Sequence, residues 1–443
     1  MTDIDVRSHG ATGDGLSSDT AAINAAILAC HQAGGGRVRL SPGRYRSGTV
    51  RMASGVCLYV DAGARLIGDP DPAAYVDDLP PNWDGPVWQR ARWQRGLIIA
   101  DGCHDIAIQG EGVIDGNKVF DPEGEEKQRG PHTINLRACT GVTVSGVHIV
   151  DSANYAMLFQ GGGSITVREV VVDGGWDALH YRGWNGIYGN GLSVTNCRFH
   201  CGDDAIAGMN FDDILIADCV LNSSCNCVRQ IGPARGLRIT GCHMYGPGRH
   251  PHRTYNNTAT LAGINLQPGG WGPAPGTLSD VHISRCSMDG VSTPFCLVLK
   301  HPNDTGRVVL NQISAVGVRR FAVSIESWSD TPWTEVELRD IDVSFAPGCE
   351  PCDPNAVVEA PHVDARPLPA WGLYARGVTR LTLDRIRLSR EDQDQRPALH
   401  LEQIEHLRTG SIQVSPSPGG TLRQQAITDH SALFAPDAIA PPS

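Results

Sequence analysis

Short β-branched stretches that alternate apolar and polar residues recur along most of the chain, each followed by Gly, Asn or Asp. Four of them run into a cysteine in nearly the same setting: Val194-Thr-Asn-Cys197, Ile216-Ala-Asp-Cys219, Ile239-Thr-Gly-Cys242 and Ile283-Ser-Arg-Cys286. The cysteines are 22, 23 and 44 residues apart, the last interval being twice the first. The same phase continues upstream in Val142-Thr-Val144 and Ile165-Thr-Val167. Downstream it continues in Val308-Val-Leu310, Val336-Glu-Leu338 and Leu381-Thr-Leu383. A fixed period of this length marks a repeat architecture. The Leu/Asn pattern of leucine-rich repeats and the Trp-Asp signature of propeller blades are both missing. A coil with two or three short strands fits a parallel β-helix, in which equivalent residues of successive coils stack about 4.8 Å apart. The pattern therefore predicts an all-β solenoid forming a single domain over residues 1–443, with Cys197, Cys219, Cys242 and Cys286 in a column inside it. Their interval is the coil period rather than a ligand loop, which argues against zinc.

A solenoid needs its ends covered. Residues 18–33 predict an N-terminal capping helix, with Ser18 or Asp19 as N-cap and Gly34-Gly35-Gly36 as the stop. Ile23, Ile27 and Leu28 are its expected apolar face. The Pro-, Gly- and Gln-rich stretch 415–443 reads as a C-terminal cap or tail.

Composition narrows the class. Of 443 residues, 51 are Gly and 29 Pro, and only 19% are charged, which disfavours helical bundles and coiled coils. A 41% hydrophobic content suffices for a sizeable core and disfavours disorder. No apolar run approaches the roughly 18 residues of a membrane helix, so no membrane partner is expected. The net charge of −11 argues against nucleic acid as a partner. Met1-Thr2-Asp3 opens without a basic, then apolar, leader, which predicts a cytoplasmic protein, or a secreted one if a leader has been trimmed. Fourteen cysteines are too few for a small disulfide scaffold; Cys349-x-x-Cys352 is spaced for a disulfide or a metal.

The polar residues carry their own spacing. Asp177 and His180 are followed by Asp203-Asp204, Asn226 and Arg229, then His250, His252 and Arg253, Lys300, and Glu326 with Trp328. These steps are close to multiples of about 25, so the groups are expected to line one groove. Crowded carboxylates divide acid and base work, because one is driven to hold a proton near neutral pH. Adjacent aspartates point to opposite faces of a regular strand, so a bend is needed at 203–204 to aim both at one cleft. Asp-Asp is also an ordinary turn signal. Trp176, Trp184, Trp271 and Trp328 are candidate sugar platforms.

The residues then resemble a family. Ile4-Asp-Val-Arg-Ser-His-Gly-Ala-Thr-Gly-Asp-Gly15, Gly34-Gly-Gly-Arg-Val-Arg-Leu-Ser-Pro-Gly-Arg-Tyr45 and Gly110-Glu-Gly-Val-Ile-Asp-Gly116 look like the start of glycoside hydrolase family 28, the polygalacturonases. Gly202-Asp203-Asp204-x-Ile-Ala207 is the more specific motif; the opening motif is shared with lyases. The resemblance implies a right-handed, pectin-lyase-like parallel β-helix and an inverting glycosidase without metal or other cofactor. It makes Asp203 the general acid, and Asp177 with Asp204 the holders of the attacking water. Such a site separates its carboxyl groups by about 6.5–9.5 Å. The family's Gly-His-Gly and Arg-Ile-Lys motifs have no match; Asn226 or a neighbouring cysteine stands at the first, and Arg229, Arg253 and Lys300 are substitutes for the second. His180, Asn226, Arg229, His250, His252, Arg253, Lys300, Glu326 and Trp328 are the expected substrate-binding residues. Pairing of Arg229 and Arg253 with Asp203, Asp204 or Glu326 would favour a neutral or modified glycan over polygalacturonate. The segment Asp69–Arg95 would wall off one groove end and favour exo action. A polysaccharide lyase or related enzyme, and a glycan-binding solenoid without activity, are the alternatives.

Overall fold

The computed structural model describes residues 2–77, 91–348, 352–353, 357–392 and 394–415. Cys349, most of the 415–443 tail and residues 78–90 of the expected groove wall lie outside them. The chain divides into two compact units: Met1–Leu215 with Arg249–Asn257, and Ile216–Gly248 with Thr258–Ser443.

In the first unit each coil supplies three strands. Strands His132–Arg137, Thr140–Ser145 and His148–Val150 form one coil. Met157–Gln160, Gly163–Arg168 and Val171–Asp173 form the next, followed by Leu179–Arg182, Gly189–Thr195 and Arg198–Cys201. Each strand pairs in parallel with its counterpart one coil on, as in Ile134–Met157, Met157–Leu179 and Leu179–Ile206. This is a right-handed parallel β-helix. Alternation places Ile134, Met157, Leu179 and Ile206 in one fully buried column, with Leu136, Phe159 and Tyr181 in another. Stacking like on like is why the sequence repeats at all: a coil buries its apolar edge only against the next coil.

The second unit follows the same rule with longer strands. Val308, Val336 and Leu381 are register partners, as are Leu310, Leu338 and Leu383, all fully buried. Cys242 and Cys286 occupy equivalent places between the pairs Ile239–Ile283 and His243–Ser287. Cys219, Cys242 and Cys286 are all buried, with the Cys242 and Cys286 thiols donating to backbone carbonyls; Cys197 is likewise buried in the first unit.

The capping helix is Thr20–Gln32, ended by Ala33 and the left-handed Gly34 and Gly35. Two details differ from expectation. Asp19 stands at the N-cap, yet its carboxylate accepts from the Thr12 and Gly13 backbone amides instead of capping the helix. Leu28 is 53% exposed, and the buried face is Ile23, Ala26, Ile27 and Cys30. Ile27 and Leu28 lie about 100° apart around a helix, and only one can face the coil.

Candidate functional site

Asp177 precedes Leu179 by two residues, and Asp204 precedes the paired Ile206 by two. They therefore occupy the same corner of successive coils, where the chain turns from its third strand into its next first strand. Tyr155 holds that corner one coil earlier, before Met157. The corner of Cys201–Ile206 is bent, as the paired aspartates require, and Asp203 and Asp204 offer oxygens within 4.8 Å of one another. One water can touch both.

Asp177 is buried, and its two oxygens are held separately. His180 Nδ1 lies 2.8 Å from Oδ2, and the Asp204 amide donates to Oδ1 at 3.3 Å. Burial drives the His180 imidazole down to about 3, and the nearby Arg182 charge adds to this, so His180 is neutral and donates its Nδ1 proton. Its ring stacks on Tyr155 with centroids 4.7 Å apart and planes 3° from parallel. His132, also driven to about 3 by burial, continues the row toward Trp93.

Asp203 is the most open of the three aspartates, with 14% of its side chain exposed. Arg129 Nη2 lies 3.5 Å from its Oδ2 and His252 Nε2 3.4 Å from its Oδ1. Arg129 lies over Trp176, its Cζ 3.7 Å from the ring centroid, and is flanked by Glu125 and Glu126. Burial alone would lower its guanidinium, but the Tyr155 hydroxyl and the carboxylates of Glu125, Asp203 and Glu126 raise it. Gly202 lets the 249–257 segment approach: a Cβ there would lie 2.8 Å from the carbonyls of Gly175 and Pro251.

His250 turns to Asp173, at 2.5 Å, while Arg253 lies over Trp176. Asn226, Arg229, Lys300, Glu326 and Trp328 belong to the second unit. There Arg229 pairs with Asp364 at 2.5 Å, and Lys300 donates to the His362 carbonyl. Glu326 is fully buried with Arg366 across both its oxygens, and Trp328 donates to it while Arg376 covers its ring. Within that unit Arg229 thus meets Asp364, and Glu326 meets Arg366. Trp176 and Trp184 are buried and offer no sugar platform, whereas Trp271 is 61% exposed. Sequence reasoning missed Arg129, Glu125, Glu126, Tyr155 and Arg182. Arg182 lies two residues beyond His180 and hence on the same face of the strand. Arg129 lies in a loop and follows no coil spacing.

This is a parallel β-helix with an acidic corner, and residues 88–227 match the family model described as Glycosyl hydrolases family 28. The match contains all three aspartates, as the motif resemblance implied. An endo-polygalacturonase of Pectobacterium carotovorum subsp. carotovorum is 24% identical over 209 residues, 43% of this chain and 51% of that protein. Mannuronan C5-epimerase AlgE2 of Azotobacter vinelandii is 36% identical over 120 residues, 26% of this chain. The chain spans only 12% of that epimerase's length. In fold it is similar to a hyperthermoactive exopolygalacturonase from Thermotoga maritima (TM-score 0.62, 16% identity, 86% of this chain and 92% of that one).

Proposed function

We propose that the chain is an inverting glycoside hydrolase that cleaves a pectin-related glycan with Asp203 as proton donor and Asp177 with Asp204 holding the attacking water. The observation that carries this reading is the corner itself, with three aspartates on adjacent coils inside the family 28 match. Asp177 and Asp204 are buried and bound to one another through the Asp204 amide, which suits fixed water holders. Asp203 is the more accessible, which suits the group that must reach a leaving oxygen. His180 orients Asp177 by donating to it. A cytoplasmic location would suit an exo-acting enzyme on short chains.

An acidic sugar now has more support than the sequence lent it. Arg182 and Arg253, both lowered by burial, lie over Trp93 and Trp176, and neither forms an ion pair among the described residues. Either can take a substrate carboxylate bidentately.

The test is a screen of oligogalacturonates against neutral oligosaccharides, with and without a chelator, following the product anomer by NMR. Inverted product from acidic substrate, unchanged by chelation, is expected. Asp203→Asn should cost about 10²–10⁴ in rate on natural substrate and less on an aryl glycoside with a good leaving group. Near-normal activity in that variant would place the acid elsewhere. The epimerase match gives one alternative specific support. A rise in absorbance from an unsaturated uronate, or inversion at C5 without chain cleavage, would establish that proton-abstracting chemistry in place of hydrolysis.

A further inference from the structure

The neighbourhood of Asp203 contains a competition at one atom. Arg129 Nη2 donates to Glu126 Oε1 at 2.9 Å and is also the nitrogen 3.5 Å from Asp203 Oδ2. The guanidinium is 6% exposed, so its charge is poorly screened and its division between two carboxylates matters. Glu126 is fixed in turn: the Thr254 hydroxyl donates to Oε2 at 2.5 Å, from the same segment that brings His252 to Asp203. Its backbone is unusual. Glu126 and Lys127 have φ of 53° and 57°, a left-handed pair without glycine. Such strain persists only where surrounding contacts impose it.

We infer that Glu126 is a positioning residue which, by drawing Arg129 away from Asp203, keeps the proton affinity of Asp203 high enough for it to act as an acid. This rests on the hydrolase reading above. An undivided arginine beside a carboxylate holds it ionised, which is the wrong state for a proton donor. Within this unit the other titratable groups around Asp203 are His252, Asp204, Asp177, Tyr155, Glu125, His180 and Cys201. His180 is neutral, and the thiol of Cys201 and hydroxyl of Tyr155 are pushed up by burial; Arg129 is a guanidinium that meets Asp203 from this unit. Glu125 is itself raised by burial and sits on the far nitrogen, 3.7 Å from Nη1, with Trp93 donating to it. Glu126 is the carboxylate seen to share the atom facing Asp203.

The inference makes two changes on one loop act in opposite directions. The proton donor must be protonated in the free enzyme, so its titration sets the alkaline limb of kcat/KM against pH. Glu126→Gln leaves the Nη2 of Arg129 to Asp203, and the limb should move about one unit to lower pH. Arg129→Met removes the cation and should move it about one unit to higher pH, while Arg129→Lys should stay near wild type. Asp203→Asn is the reference. If it abolishes activity while Glu126→Gln leaves the limb in place or raises it, the inference fails and the hydrolase reading stands. If Asp203→Asn retains activity, both fail. A merely structural loop would lower the rate or Tm of these variants without opposed shifts. Glu126 is one-third exposed, so Glu126→Gln decides the matter even if Arg129→Met folds poorly.

Discussion

At Asp177 two donors converge on a buried carboxylate, and each belongs to a different part of the chain. The Asp204 amide comes from the next coil, and His180 from three residues on. The second donor is replaceable without touching the corner's backbone. His180→Phe should keep the stacking on Tyr155 and remove the hydrogen bond. A hydrogen bond to a charged group contributes about 1.5–3 kcal/mol, so kcat should fall about 10- to 100-fold with little change in KM. A loss confined to KM would show that His180 touches substrate rather than holding Asp177.

At the scale of elements, the site depends on how closely a loop can approach a turn. The 249–257 segment delivers His252 to Asp203 and Thr254 to Glu126, and it rests against Gly202. Gly202→Ala places a methyl group 2.8 Å from two backbone carbonyls, which cannot rotate away as a side chain would. Overpacking of this kind costs about 1–3 kcal/mol. The loop should yield before the coil does, so activity should fall more than thermal stability. Calorimetry and steady-state rates on the same preparation test this; a Tm loss with full activity would exclude it. The capping helix teaches a related lesson. Its extent was readable from Gly34–Gly36, but which of Ile27 and Leu28 faced inward was set by the coil beneath.

At the scale of the molecule, buried imidazoles and paired carboxylates set the response to acid. His132 and His180 are driven from the ordinary 6.5 to about 3 by burial, so the unfolded chain binds protons that the folded chain refuses. Their contribution is full above about pH 6.5 and declines as pH falls toward 3. Glu337 and Asp394 act lower. Burial would raise both, but hydrogen bonds from Arg307 and Arg339 to the first, and from Arg396 to the second, outweigh it. Carboxylates lowered on folding stabilise above about pH 4 and lose that contribution as they protonate. Tm should therefore begin to fall below about pH 6.5 and drop more steeply below about pH 4. A Tm constant down to pH 4.5 would show that the two histidines take up protons in the folded state.

The strand columns, the buried cysteines, the capping helix and the Asp177–Asp203–Asp204 trio were legible in the chain alone. They follow from a local rule: residues one coil apart must stack, so burial and polarity repeat at the coil's length. Arg129, Glu125 and Glu126 were not legible, because a loop obeys no coil period and its side chains are chosen by whatever the neighbouring corner presents. Tertiary structure alone decided partners. It gave Arg229 to Asp364 and Glu326 to Arg366, turned His250 to Asp173 and His252 to Asp203, and buried Trp176 beneath Arg129. The physical reason is range. Periodicity reports what each coil shares with the next, whereas the pairing of charges is settled by distances of a few ångströms between segments far apart in sequence.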